Sequence, residues 1–491
     1  VVRRRRAGRS NTRRNVLITV LCVVVVAALG VGSYLFLTAD GRGGNEQAGG
    51  DGSTVTTSVS KPKPVDPKVG SPKLALAPLP NAKTAPTPQG VAKALAPVLA
   101  DPNLANYSGE VIDPASGTVL WKKDAATAQI PASTAKLLTG VALLASVKDP
   151  NARLTTKVVK GDQAGDIIFV GGGDVTLSAR SAGVDTVYDG APTVSDLAAQ
   201  VQASGVPVKR IVLDTSYWTG PDLATGWKTE DIKGTAQVRQ GYITKMSALM
   251  VDGDRQDPSI ENSPRTGDPA MTAGKALARA LGNADLPIID GTAPPKGQVI
   301  AQVHSQPLSI LLSQALLNSD NILAESLARE VAGAQGAPRS FEGASAATLL
   351  ALQDLKIDTI NVQLFDGSGM SENDRVTPDV LAQVLAQATS GKKPALRYLL
   401  AGLPVAGVSG TLSADQEHRF DDARSKAGAG WVRAKTGSLN STYVLAGYTP
   451  DTDGRLLVFS LISNASIPGD DTGTRPTQDA FATVLRMCGC R

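Results

Sequence analysis

The hydrophobic pattern divides the chain before any single residue is considered. From Val16 to Leu37 the chain is apolar and carries no charge, and Arg3 to Arg6, Arg9, Arg13 and Arg14 precede it. Such a run matches the roughly 20 residues a helix needs to cross a bilayer. Residues 15–38 are therefore predicted to be a transmembrane signal-anchor, with 1–14 as a basic cytoplasmic tail and everything beyond translocated. A cleaved signal peptide is the competing reading. Its apolar region covers about 7–15 residues and ends at a small-residue site, whereas this run is longer and lacks a clear Ala-x-Ala. From Gly41 to Gly90 the composition turns to Gly, Ser, Thr, Lys and Pro, with Pro62, Pro64, Pro67, Pro72, Pro78, Pro80, Pro86 and Pro88. No apolar period survives there, which predicts a disordered linker over 39–90.

Periodicity resumes near Val91. Tyr107–Ile112 and Thr118–Trp121 flank Asp113-Pro114-Ala115-Ser116-Gly117 and read as a β-hairpin. Pro131-Ala132-Ser133-Thr134-Ala135-Lys136 leads into Leu137, Leu138, Val141, Leu143 and Leu144 at helical spacing, which places Ser133 in the first turn of a proline-led helix. Beyond Lys157 the texture is strand-like and Gly-rich, with Asp166–Val170 and Arg210–Asp214 as candidate strands. Helices follow at Leu308–Leu317 and Asn321–Ala332. Three strands come next, around Lys435-Thr436-Gly437, Tyr443–Tyr448 and Leu456–Leu461, then a last helix over Thr477–Met487. Strands at both ends of the body with helices between predict an α+β fold in which the two ends share one sheet and a further region, 156–299, is inserted between 91–155 and 300–491.

Charge changes the picture little. The net +4 comes from the tail: without its seven arginines, 42 basic residues face 45 acidic ones, about −3. A nearly neutral body carries no nucleic-acid footprint. The two histidines, His304 and His418, exclude a zinc site built from several histidines, and no metal or organic cofactor is expected. The cysteines are Cys22, in the apolar run, and Cys488 and Cys490, which could pair only through a small, strained ring.

With histidine scarce, Ser133 and Lys136 attract attention. On a helix the two lie one turn apart on one face. A serine needs a base to become a nucleophile, and burial, a helix N-terminus and a second cation all press a lysine toward its neutral form. Alone the spacing is weak, because Ser58/Lys61 and Ser60/Lys63 in the linker share it. A second element is Ser319-Asp320-Asn321, able to relay a proton and orient an amide. Helix capping explains it equally well, and Ser371-Glu372-Asn373 and Ser438-Leu439-Asn440 repeat the pattern. The third, Lys435-Thr436-Gly437, occurs once, on a strand where a substrate backbone could lie. Together and in this order the three are far more specific than any one.

These elements, with Gly172-Gly173-Asp174, Asp366-Gly367-Ser368-Gly369 and Pro404-Val405-Ala406-Gly407, resemble the class C low-molecular-mass penicillin-binding proteins, D-alanyl-D-alanine carboxypeptidases and endopeptidases. The resemblance runs from about Val91 over nearly all the remaining chain. Ser133 precedes Ser319 by 186 residues, far more than a compact β-lactamase would need, which agrees with an inserted region. The resemblance implies a penicillin-binding, transpeptidase-like core: a five-stranded antiparallel sheet between helical layers. It implies that Ser133 forms an acyl-enzyme, Lys136 is its base, Ser319 shuttles the proton, Asn321 orients substrate, and Lys435 and Thr436 receive a terminal carboxylate beside Gly437. Backbone N–H groups of Ser133 and Ser438 would hold the oxyanion. Asp231, after Gly226-Trp227, and Asn440 would meet the peptide side chain. Glu372 departs from the family, which commonly has an arginine there. Asp174 and Asp366 read as turn formers beside glycines.

The expected activity is serine D-Ala-D-Ala carboxypeptidase or endopeptidase action on peptidoglycan stem peptides, inhibited by acylating β-lactams, in a cell-membrane protein whose catalytic body is extracytoplasmic. A β-lactamase and a non-enzymatic wall-binding scaffold are the alternatives.

Overall fold

The computed structural model describes residues 85–234, 239–464 and 473–491. The predicted anchor and nearly all of the predicted linker lie outside the described residues. Among those described, no helix is long and apolar enough to cross a membrane.

Helix α1 (Pro88–Leu99) starts slightly ahead of Val91, because Thr87 caps it: its Oγ1 accepts the Gly90 N–H at 3.0 Å, with Pro88 in the first turn. Such a cap contributes about 1 kcal/mol. The predicted hairpin follows as β1 (Asn106–Asp113) and β2 (Thr118–Lys123). Helix α2 (Ala135–Ser146) is next.

Then come β3 (Arg153–Lys160), β4 (Asp166–Val170), α3 (Val194–Ala203), β5 (Arg210–Asp214), α4 (Pro269–Ala280), β6 (Ile288–Asp290) and β7 (Val299–Pro307). The chain continues through α5 (Leu308–Leu317), α6 (Asn321–Ala334), α7 (Phe341–Asp354) and α8 (Pro378–Thr389). It closes with β8 (Arg433–Leu439), β9 (Thr442–Pro450), β10 (Leu456–Asn464) and α9 (Thr474–Arg486).

The first sheet has the order β2-β1-β10-β9-β8, with every neighbouring pair antiparallel. Strands from the two ends of the body, β1 and β10, pair over Asn106–Ile112, as the pattern predicted. Strand β8, with Lys435-Thr436-Gly437, is left at an edge. Helix α2 is apolar on all sides and buried from Ala135 to Leu144, the pattern of a helix enclosed by other elements. It shares one core with Val444, Ala446 and Val458 of the sheet and with Leu312, Leu327, Leu352 and Leu385 of α5 to α8.

The second sheet, β6-β5-β4-β3-β7, is mixed: β5 runs parallel to β4 and β6, while β3 is antiparallel to β4 and β7. Parallel neighbours require crossovers, and α3 and α4 supply them. Leu197, Val201, Ala273 and Leu277 of these helices pack on Val158, Phe169, Ile211 and Leu213, forming a separate core. At the seam of the body, the Thr87 N–H donates to the Cys490 carbonyl at 2.8 Å, and Cys488 and Cys490 are joined by a disulfide.

Candidate active site

Ser133 does not sit inside the α-helix as its proline-led pattern predicted. Residues Ala132–Thr134 form a single 3-10 turn, and α2 begins at Ala135. The cause is local. Ala132 has φ +44, while Thr134 Oγ1 donates back to the Pro131 carbonyl at 2.6 Å. Gly369, itself at φ +83, lies so close that a Cβ there would stand 1.9 Å from the Ala132 carbonyl oxygen. The loop after Asp366 is thus pressed against the Ser133 turn, where only glycine fits.

Lys136 remains one turn from Ser133 and is 1% exposed. Its ammonium nitrogen makes three hydrogen bonds: to Ser133 Oγ at 2.9 Å, to Asn321 Oδ1 at 2.6 Å and to the Ser368 carbonyl at 2.8 Å. Burial drives the lysine pKa down to about 8 against the opposing pull of Asp366, Asp320 and Glu325. An amine of that pKa, hydrogen-bonded to a serine, is suited to accept the serine's proton.

Ser319 lies in the short break between α5 and α6 at φ +57, a backbone conformation that costs a non-glycine residue roughly 1–3 kcal/mol. Asp320 caps α6 by accepting the Leu323 N–H at 2.8 Å, so the capping reading of this motif is correct as far as it goes. Asn321, the first residue of α6, faces Lys136 with its oxygen and donates its Nδ2 to the Tyr242 carbonyl at 3.0 Å. The Ser319 hydroxyl is not among the three partners of Lys136.

On β8, Lys435 is fully buried and donates to the Thr436 carbonyl at 2.9 Å. Burial and then the Lys136 charge push its pKa well down, with Glu261 opposing. Thr436 donates to Thr411 Oγ1 at 2.8 Å. Gly437 backs onto the Pro131 carbonyl, so the Ser133 turn and β8 meet without a side chain between them. Exposed Ser438 accepts a hydrogen bond from Arg475 at 3.2 Å.

Asp231 and Asn440, which the resemblance assigned to a side-chain subsite, both line a recess of about 450 Å³ that also includes Lys228, Tyr242, Glu372, Ser438 and Arg475. Burial raises the Asp231 pKa, Lys228 opposing. Glu372 is tied to Lys228 at 2.5 Å and accepts a hydrogen bond from Asn440 Nδ2. The acid that departs from the family pattern therefore has a cation paired with it.

Sequence reasoning singled out Asp366 only as a turn former, and its turn exists: Oδ1 accepts the Ser368 and Gly369 N–H groups. Its other oxygen also receives Trp227 Nε1 and the Ser371 N–H, both at 2.7 Å. The Ser368 carbonyl, Thr411, Lys228 and Arg475 were missed. Only Lys228 left a signal, as a cation directly after Gly226-Trp227.

The model of the D-Ala-D-Ala carboxypeptidase 3 (S13) family matches residues 91–273 and 262–486. Carboxypeptidase DacB of Mycolicibacterium smegmatis is 43% identical over 479 residues, covering 97% of this chain and 96% of that protein. Carboxypeptidase Rv3627c of Mycobacterium tuberculosis is 41% identical over 447 residues, covering 90% and 92%. Among solved structures, penicillin binding protein 4 (dacB) from Haemophilus influenzae has the same fold, with a TM-score of 0.64 and 22% identity over 80% of this chain and 97% of that one.

Proposed function

The chain belongs to the D-Ala-D-Ala carboxypeptidase 3 (S13) family, and from that premise we propose that its serine D-Ala-D-Ala carboxypeptidase activity runs through an acyl-enzyme at Ser133. The observation that carries this is the buried Lys136 amine, held 2.9 Å from Ser133 Oγ and 2.6 Å from Asn321 Oδ1.

In the proposed sequence the Ser133 hydroxyl attacks the carbonyl of the penultimate D-alanine while its proton passes to neutral Lys136. Backbone N–H groups of Ser133 and Ser438 hold the oxyanion. As the tetrahedral intermediate collapses, the C–N bond breaks, and the departing amine of the terminal D-alanine takes a proton by way of Ser319. Asn321 orients the substrate amide; Lys435 and Thr436 receive the terminal carboxylate. Water then attacks the Ser133 ester and releases the shortened peptide. The substrate strand lies along β8, whose outer edge at Lys435–Ser438 has no strand partner among the described residues.

The substrates in this reading are peptidoglycan stem peptides, with cross-link cleavage as a related reaction. β-Lactams acylate the same serine. The catalytic body is extracytoplasmic, anchored through 15–38, a reading supported by the charge-free run behind seven arginines. The long insertion disfavours a β-lactamase, and the hydrogen-bonded Ser133–Lys136 pair disfavours a scaffold without activity. Labelled penicillin tests the centre: wild-type protein should be labelled covalently and folded Ser133→Ala should not. Labelling of Ser133→Ala would sink the assignment.

A further inference from the structure

The inserted region reaches the second motif through two residues, Arg255 and Tyr188, that no sequence motif points to. Asp320, the middle residue of the second motif, is 7% exposed, and its carboxylate is held from three directions. Oδ1 accepts the Leu323 N–H; Oδ2 accepts Arg255 Nη2 at 2.6 Å and the Tyr188 hydroxyl at 3.0 Å. Arg255 and Tyr188 both belong to the inserted region, and the guanidinium stacks 4.8 Å from the tyrosine ring centre. Burial would raise the Asp320 carboxyl, but Arg255 and Arg265 hold it down at about 2, so the clamp is an ion pair across the working range.

Arg255 is itself fixed. Its Nε donates to the Glu261 carbonyl at 2.9 Å and its Nη1 to the Asp252 carbonyl at 3.1 Å. The turn that presents it, Asp252–Asp254, has φ of +52, +59 and +62. Arg265 Nη1 holds that turn through the Gly253 carbonyl at 2.7 Å, and Asp254 accepts the Gly267 N–H at 2.8 Å. Arg255 therefore delivers a preset position to Asp320 instead of adapting to it.

Ser319, directly before Asp320, needs such an anchor. Apolar helices flank it closely, with α5 ending at Leu317 and α6 starting at Asn321, and its φ of +57 is one the chain leaves unless held. We infer that Arg255, assisted by Tyr188, is a positioning residue for the second motif: by clamping Asp320 it fixes the backbone of Ser319 on one side and the Asn321 amide that meets Lys136 on the other, making the inserted region part of the catalytic device. This rests on the reading of Ser319 and Asn321 given above.

Acylation by labelled penicillin, followed in time and paired with thermal melting, tests it. Arg255→Gln should slow the acylation step on the order of 10- to 100-fold, the scale of a misplacement near 1 Å, with the affinity of the initial non-covalent complex little changed. Arg255→Lys should recover part of that loss. Tyr188→Phe, which leaves the Arg255 ion pair in place and removes one hydrogen bond of about 0.5–1.5 kcal/mol, should slow it by roughly 2- to 10-fold and carries the test if Arg255→Gln does not fold. A purely structural role would lower the melting temperature and leave acylation of the folded protein at the wild-type rate; that result in both variants overturns the proposal. Ser319→Ala separates the two layers. If it acylates slowly while the Arg255 and Tyr188 variants match wild type, only the clamp fails. If it acylates at the wild-type rate, the reading beneath the clamp fails.

Discussion

Lys136, beside Ser133, and Lys228, in the recess that also includes Ser438, both hydrogen-bond to oxygen, and they differ in nearly every physical respect. Lys136 is enclosed, with three hydrogen bonds and no direct carboxylate contact, and burial carries its pKa down to about 8. Lys228 stands on the rim with its side chain 47% exposed, and its hydrogen bond to Glu372 carries its pKa up. The same functional group is thus pushed in opposite directions by desolvation and by a solvated counter-charge. One lysine is prepared to exchange a proton; the other keeps its charge and presents an ion pair to whatever enters the recess.

The contrast breaks most sharply at Lys136. Replacing it by alanine should lower the rate of labelling by penicillin about 10²- to 10⁴-fold, read from the time course of adduct formation in folded protein. Next in size is pH. Because the base works as the free amine, the rate of acylation should climb with pH until it levels off above about 8. Below that point each pH unit costs about tenfold. Asp366, Asp320 and Glu325 favour the protonated amine. Glu325→Gln should therefore move the rising limb to lower pH, as a pH–rate profile would reveal. The variant keeps an oxygen for the Gly367 and Ser368 N–H groups.

The smallest effect belongs to the rim. Glu372→Gln should change stability by less than about 1 kcal/mol, since an exposed pair is weak, visible as a small shift in melting temperature. It should also alter KM for a stem peptide more than the rate of acylation by penicillin. An equal effect on both would place Glu372 in the chemistry instead of at the rim.

What the sequence made legible follows the same division. The meeting of Ser133 with Lys136 could be read because serine and lysine chemistry demands a fixed spacing that a helical turn converts into proximity, and Asn321 followed from the order of the motifs. The Ser368 carbonyl that receives Lys136 could not, since a backbone oxygen has no letter of its own. Glu325 was equally hidden: it sits among alternating apolar and polar residues of α6, where an acid ordinarily faces water, yet it is fully buried beneath the Asp366 turn.

Ser133 was placed one structural class off because proline-led helix patterns reveal neither the left-handed conformation of Ala132 nor the loop that Gly369 lets close against it. The first sheet was foreseen from strands at both ends of the body. The second was visible only as strand-like texture, since its parallel order depends on crossovers, and β6 spans only Ile288–Asp290. Arg255 left no trace at all, because the turn that aims it is defined by dihedral angles.

The hydrogen bond between Thr87 and Cys490 has a topological consequence. The polypeptide enters and leaves the described body at one place, so the path between is effectively a ring interrupted at a single point. A circular permutant that bridges residues 491 and 87 and opens at an exposed turn such as Gly336 would keep Ser133, Asn321 and Lys435 in their present relation while placing Lys435 first along the chain.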